Sequence, residues 1–202
     1  MTLDWIDRAF VRRTPPDVVE ALGGVGRASV VAPADGKADA PVAPTPPGGD
    51  VVDGVVERLI HAVPAEWVAL ADRVEAAAQS GRRVVAVTGA RSGEGRSTVV
   101  AGVAATLRAR GRSVATLPRS PLLLGGEEAR AARHADVVLV DAGAWFGPGP
   151  VRHSAVERAA LGCDAVLLVR RDDAPPCPVR ERVLERLGLA VLGEAVTFAR
   201  VA

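Results

Sequence analysis

The 202-residue chain contains no tyrosine, a single lysine (Lys37), two cysteines, three histidines and one methionine, and aromatic residues make up only 3% of it. Each shortage removes a class of reading. With no tyrosine and few other rings, a core has to be built from aliphatic side chains. Cys163 and Cys177 are too few and too unpatterned for a disulfide framework or a zinc site, so both read as reduced, buried thiols. His61, His134 and His153 share no ligand spacing and have no acid arranged beside them for a metal; exposed or helix-capping positions are expected. No run of about 18 apolar residues occurs, and the N-terminus is polar and acidic rather than signal-like. Direct membrane insertion is therefore not expected, and a cytoplasmic location is. A formal net charge of +1 gives no electrostatic reason to expect nucleic acid as a partner.

What the chain does have is alanine, valine, leucine, glycine and arginine in ordered blocks. Residues 1–13 form a short amphipathic segment with Leu3, Ile6 and Phe10 on one helical face, stopped by Pro15-Pro16. Residues 14–50 are predicted as a disordered Pro/Ala/Gly-rich linker, clearest between Gly23 and Gly49. Residues 51–202 form the folded domain. Within it, 51–63 has a helix-like or mixed period ended by Pro64, and Glu66 to Gln79 is an amphipathic helix stopped at Gly81. Aliphatic strands then alternate with helices: strands at 83–89, 113–117, 136–141, 165–169 and 191–198, helices at 99–110, 129–134, 151–161 and 179–187. Strands apolar on both faces, separated by helices, predict an α/β domain with a mostly parallel sheet covered on both sides. Function in such a sheet gathers at the carboxyl ends of its strands.

The most informative stretch is Val84-Val85-Ala86-Val87-Thr88-Gly89-Ala90-Arg91-Ser92-Gly93-Glu94-Gly95-Arg96-Ser97-Thr98. It passes from a β-branched run through a glycine turn into helical spacing, the strand–loop–helix context of a phosphate-binding P-loop. Against the pattern G-x-x-x-x-G-K-[ST], Ala90 stands at the first glycine and Arg96 at the lysine. Gly93 and Gly95 would let backbone amides turn inward on an anion, and the helix beginning near Arg96 would aim its positive end at phosphates. The binding stretch is therefore Gly93, Glu94, Gly95, Arg96, Ser97 and Thr98, with the Ser97 or Thr98 hydroxyl offered to Mg²⁺. Arg96 keeps the charge of lysine, but its planar fork does not reach between phosphates as a compact ammonium does. The Glu94 carboxylate is expected to be solvated rather than to act as a catalytic base.

A second constellation is Val137-Val138-Leu139-Val140-Asp141, four aliphatics and an acid in the form of a Walker B strand. Such a strand holds one carboxylate near the loop hydroxyl, so Ser97 and Asp141 are the expected metal residues. Arg170, Arg171, Asp172 and Asp173, just after a strand on the same edge, are expected to be a solvated charge run. Trp145-Phe146 is read as a ligand cover, a partner contact or core packing.

The block Val87 to Thr98, followed by Ala101, Ala104 and Leu107, resembles the P-loop of the bacterial tyrosine-kinase and capsular-exopolysaccharide family, within the deviant-Walker group that includes the MinD and ParA ATPases. Asp136 to Asp141 is similar to that family's Walker B strand, and Cys163 to Arg170 and Leu187 to Thr197 to its closing strands. The resemblance implies a P-loop NTPase-like fold, ATP or ADP and Mg²⁺ as ligands, and a membrane polysaccharide-export protein or a second copy of the chain as partner. Several features depart from the family. Pro118-Arg119-Ser120 follows Leu117 where the family carries a pair of acids, a short connection leads from Arg119 to Ala135, and the oligomerisation motif is not recognisable in Glu66 to Arg73. The family's kinases phosphorylate their own tyrosine cluster; a chain without tyrosine cannot. The expected function is therefore a degenerate nucleotide-binding protein with little or no kinase activity, regulating exopolysaccharide or capsule biosynthesis. The alternatives are a working MinD/ParA-type ATPase switch and a structural adaptor without nucleotide.

Overall fold

Pro64 both ends one helix and begins the next. Proline has no N–H to lose at a first helical turn, so α1 (Asp50–Ala62) breaks at Val63 and α2 (Pro64–Gln79) starts at once. The computed structural model describes residues 50–120, 122, 126–147 and 149–198. The amphipathic segment 1–13 and residues 14–49 of the expected linker lie outside these residues, and Asp50, expected to end the linker, begins α1. The remaining elements alternate as expected: β1 (Val84–Gly89), α3 (Arg96–Ala109), β2 (Val114–Leu117), α4 (Gly126–His134), β3 (Val137–Ala144), α5 (His153–Ala160), β4 (Ala165–Arg171), α6 (Pro178–Arg186) and β5 (Ala190–Thr197).

The five strands form one sheet in the order β2-β3-β1-β4-β5, and every neighbouring pair is parallel. β1 is thus the central strand, flanked by β3 and β4. Connections leave its two sides in opposite directions, and the loop after it opens in the middle of the carboxyl edge.

The period-2 geometry of strands sorts the aliphatic runs onto two faces. Val85, Val87, Leu139, Leu167 and Val169 point toward α1, α2 and α3. Ala86, Val166 and Leu168 point the other way, where they meet residues of α5 and α6. Val138 and Val140 share that second side with Leu117 and with Ala132 of α4. The core is aliphatic, as the composition requires, with Trp67 and Phe146 as its aromatic members.

Two elements are longer than their sequence signals. β3 continues past Asp141 to Ala144, because Gly89 pairs with Ala144 after an irregularity in the β1–β3 ladder. α3 runs from Arg96, where the loop pattern places the helix start, three residues before the apolar helical period begins at Val99.

The layer of α2 on α3 depends on one close contact. Trp67 is 2% exposed, and its indole N–H donates to the Leu59 carbonyl at 3.0 Å. Its ring lies over Gly102 so closely that a Cβ there would stand 2.6 Å from Cη2 and 2.8 Å from Cε3. Replacing Gly102 by alanine is expected to destabilise the domain by about 1–3 kcal/mol through overpacking, despite the better helix propensity of alanine. Trp67→Ala is expected to remove about 3–5 kcal/mol. The double variant should lose less than the sum, because the new methyl occupies space the ring vacated; urea unfolding of the variants checks all three values.

Candidate functional site

β1 ends at Gly89, and seven residues later, at Arg96, the chain is helical. Gly93 and Gly95 lie in the left-handed region, at φ +75° and +80°, where a side chain would be strained. Gly95 is the N-cap of α3 and offers no side-chain oxygen to the helix. Its first turn is therefore uncapped, and a helix start leaves its leading N–H groups without intrahelical acceptors. Among the described residues, the backbone amides from Gly93 to Thr98 donate to no protein acceptor. They are available to an anion.

The start of the loop is different. Glu94, expected to be solvated, is 1% exposed. Its Oε2 accepts from the amide of Ala90 at 2.8 Å and of Arg91 at 3.0 Å. The carboxylate sits where a Cβ on Gly89 would be, a place also bounded by the Val169 carbonyl at 2.7 Å. The Glu94 carbonyl in turn accepts from the Thr197 hydroxyl at 2.7 Å, fastening the loop to the end of β5. A bare Gly-x-Gly pattern does not announce an inward glutamate; the sequence signal available was Gly89, the one position that makes room for it. Thr197 carries no signal.

Arg96 is half-buried, and its Nε and Nη1 are buried without a hydrogen-bond partner. An unpaired buried guanidinium is unfavourable, and an anionic ligand at the adjacent amides would relieve it. Ser97 is exposed, and its hydroxyl donates to Asp141 Oδ2 at 2.5 Å. The parallel register that sets Asp141 opposite Val87 carries the carboxylate to the loop. Hydroxyl and carboxylate oxygens are the donors a hard divalent cation takes, so the residues present fit a phosphate group together with Mg²⁺. A cleft of about 410 Å³ opens beside this pair, lined by Val56, Ile60, Ser97, Val100, Ala104 and Asp141, among others. Thr98 is half-buried on the first turn of α3, and Arg91 is exposed.

Other residues fall away from the site. Phe146 is 4% exposed and packs in the core beneath α5 and α6, with Trp145 against it. Its backbone amide donates to the Gly89 carbonyl. Thr88 holds the same segment by donating to the Gly143 carbonyl at 2.8 Å and accepting from the Trp145 amide. Core packing is therefore the role of this pair. Arg170 is not part of a solvated run: it pairs with Glu194 at 2.8 Å and is largely buried. Arg171 and Asp173 do stay exposed and pair with each other. Ser120, just after β2, is 2% exposed and donates its hydroxyl to the Leu161 carbonyl beyond α5. The three histidines are exposed. Among the described residues, no group of three His, Cys, Asp or Glu side chains could hold a metal ion, and no helix is long and apolar enough to cross a membrane.

No protein-family model matches the chain, and no curated protein matches it. Among solved structures it is similar to the chimerical protein CapA2B2, at 11% identity and a TM-score of 0.50, over 68% of this chain and 88% of that one. It also matches the kinase domain of Escherichia coli tyrosine kinase ETK, at 13% identity and a TM-score of 0.42, over 72% of this chain and 74% of that one. At such identities the likeness to CapA2B2 concerns the fold alone.

The Cys163 thiol is a poor nucleophile. Both cysteines are half-buried rather than fully buried. Burial, with help from the neighbouring Asp164 charge and against a hydrogen bond to Ser120, pushes the Cys163 thiol up to about 11 from 9.0. A raised thiol pKa means that the folded state holds its proton more tightly. The stability this contributes is complete below about pH 9 and is lost as pH rises toward 11. At pH 8 the thiolate is scarcer by about 100-fold than in the unfolded chain. Iodoacetamide labelling of Cys163 at pH 8, followed by mass spectrometry, should be slower in the native protein than in urea by at least that factor.

Proposed function

We propose that this protein binds ADP or ATP with Mg²⁺ at the loop between β1 and α3, transfers phosphate slowly or not at all, and acts as a regulatory partner in exopolysaccharide or capsule production. The observation that carries the nucleotide reading is the 2.5 Å contact between Ser97 and Asp141 at the mouth of the loop. It is joined by the partnerless Arg96 guanidinium nitrogens beside open amides. In this reading the amides from Gly93 to Thr98 hold phosphate oxygens, aided by the positive end of α3. Arg96 supplies a half-buried cation within the loop, and Ser97 and Asp141 orient the metal side. Mg²⁺, when bound, supplies neutralisation of phosphate charge.

Slow transfer follows from what the neighbourhood lacks. Phosphoryl transfer depends on positioning and on charge stabilisation. Arg96 replaces the compact lysine, Ser120 is turned toward Leu161, and Glu94 is held by two loop amides, so none of these acts as a base for an incoming hydroxyl. The exopolysaccharide setting rests on the resemblance of Val87 to Thr98 to the capsular family. The partner expected there is a membrane polysaccharide-export protein or a second copy of the chain. One observation favours a structural adaptor instead: the Glu94 carboxylate already satisfies part of the loop.

Calorimetric titration with ADP and ATP, with and without Mg²⁺, separates these readings. Micromolar Mg²⁺-dependent binding without turnover is the expected result; turnover would point to a MinD/ParA-type ATPase switch, and no binding to an adaptor. Ser97→Ala and Asp141→Asn should each weaken Mg²⁺-nucleotide binding by about tenfold or more. Arg96→Lys should tighten it without producing turnover.

A further inference from the structure

Glu94 is the anomaly of the site. A loop offered to polyphosphate holds a buried carboxylate of its own, on two of its own amides. It is not a side chain that swings in and out. Gly89 has given up a Cβ to admit it, the Val169 carbonyl closes the space behind, and Thr197 clamps the same residue's carbonyl. Moving the carboxylate out would strand the buried Ala90 amide, a donor whose loss of partner is costly, and release the part-buried Arg91 amide. Two consequences follow from the geometry. The loop keeps its shape with no ligand present. And any ligand meets a fixed negative charge and finds two fewer donors at the strand end of the loop.

Of the charges that line the cleft beside Ser97 and Asp141, Glu57 and Arg108 are of opposite sign and offset each other; those of the loop and its neighbouring strand remain. Arg96 contributes one positive charge, and Glu94 and Asp141 one negative charge each; the exposed Arg91 is screened by solvent. The donors left for a ligand are the amides from Gly93 to Thr98. Such a site favours the polyphosphate with fewer charges and fewer oxygens to satisfy.

We infer that Glu94 is a resident anion of the loop that makes the site selective for a diphosphate over a triphosphate. The inference rests on the nucleotide reading above and names which nucleotide the site retains. It assigns Glu94 a positioning and specificity role, not a catalytic one: its carboxylate acts through the loop amides and through its charge.

The test uses the full chain with Mg²⁺ and compares ADP with ATP, and pyrophosphate with tripolyphosphate, by calorimetry. The unaltered protein should bind the diphosphate of each pair about tenfold more tightly than the triphosphate, the effect of one additional partly screened charge. Glu94→Gln, which keeps the shape and removes the charge, should bring the ratio close to one, mainly by tightening the triphosphate. Glu94→Asp, which keeps the charge, should preserve the preference even if the loop loosens. Thermal unfolding of each free variant establishes that it is folded, and a purely packing role for Glu94 would change melting temperature without changing the ratio. Equal affinity of the unaltered protein for both members of each pair overturns the inference and leaves nucleotide binding intact. So does an unchanged ratio in folded Glu94→Gln. Should a variant fail to fold, the ratios of the unaltered protein decide. Absence of all binding overturns the nucleotide reading itself, a different and recognisable result.

Discussion

Backbone amides at the junction of a strand and a helix must find acceptors, and the whole carboxyl edge of this sheet is arranged around that need. The Ala90 and Arg91 amides find theirs in Glu94, from the same loop. That choice fixes the rest. It requires glycine at position 89, because the carboxylate takes the space of a side chain. It turns the loop so that Gly93 and Gly95 adopt left-handed conformations and the Glu94 carbonyl faces the Thr197 hydroxyl on β5. It also leaves the next amides, from Gly93 into the first turn of α3, facing outward with no protein acceptor. A loop that depended on ligand for its shape would be mobile without one. This loop is anchored from beneath by an internal charge-assisted hydrogen-bond pair and from the side by β5.

Arginine in place of lysine at position 96 has to be weighed against the composition. The chain has one lysine and 24 arginines, so a general drift from one cation to the other can account for the residue without selection at this site. The geometry nevertheless gives the substitution a physical meaning. A lysine ammonium is a compact charge on a flexible stem, whereas the guanidinium spreads its donors over a plane. Here two of its nitrogens, Nε and Nη1, are buried and unpaired. Such a group has no acceptor within the protein, and in the nucleotide reading proposed above a metal-bound phosphate would arrive from the side of the Ser97–Asp141 pair.

Much of this was legible in the sequence because the rules that write it are local. Aliphatic runs with no polar alternation announced buried parallel strands, and five of them appear in one parallel sheet. The strand–glycine–helix order announced the loop, and four aliphatics before Asp141 announced a carboxylate that the β1–β3 register does bring to Ser97. The parts that stayed hidden are set by partners distant in the chain. Thr197 meets Glu94 across 103 residues and Arg170 meets Glu194 across 24, and no periodicity encodes either pairing. Glu94 itself lies four residues from its acceptor-seeking amide at Ala90, yet an exposed and an inverted glutamate look alike on paper. Composition says that loop carboxylates are solvated; only the missing Cβ at Gly89 says otherwise. The Trp145-Phe146 dipeptide shows the same limit, since its role is fixed by Thr88 and Gly89 on another strand.

A self-satisfied loop also frees the stability of this fold from whatever the loop binds. In a domain whose nucleotide loop is ordered only by ligand, loss of binding would expose stranded amides and weaken the carboxyl edge, so binding and stability would be lost together. Here the strand end of the loop is satisfied without ligand, and the core beneath it is closed by aliphatic packing on both faces of the sheet. Stability and ligand occupancy are thereby uncoupled to first order. Substitutions that alter a ligand's contacts at the loop can then accumulate with little penalty to folding.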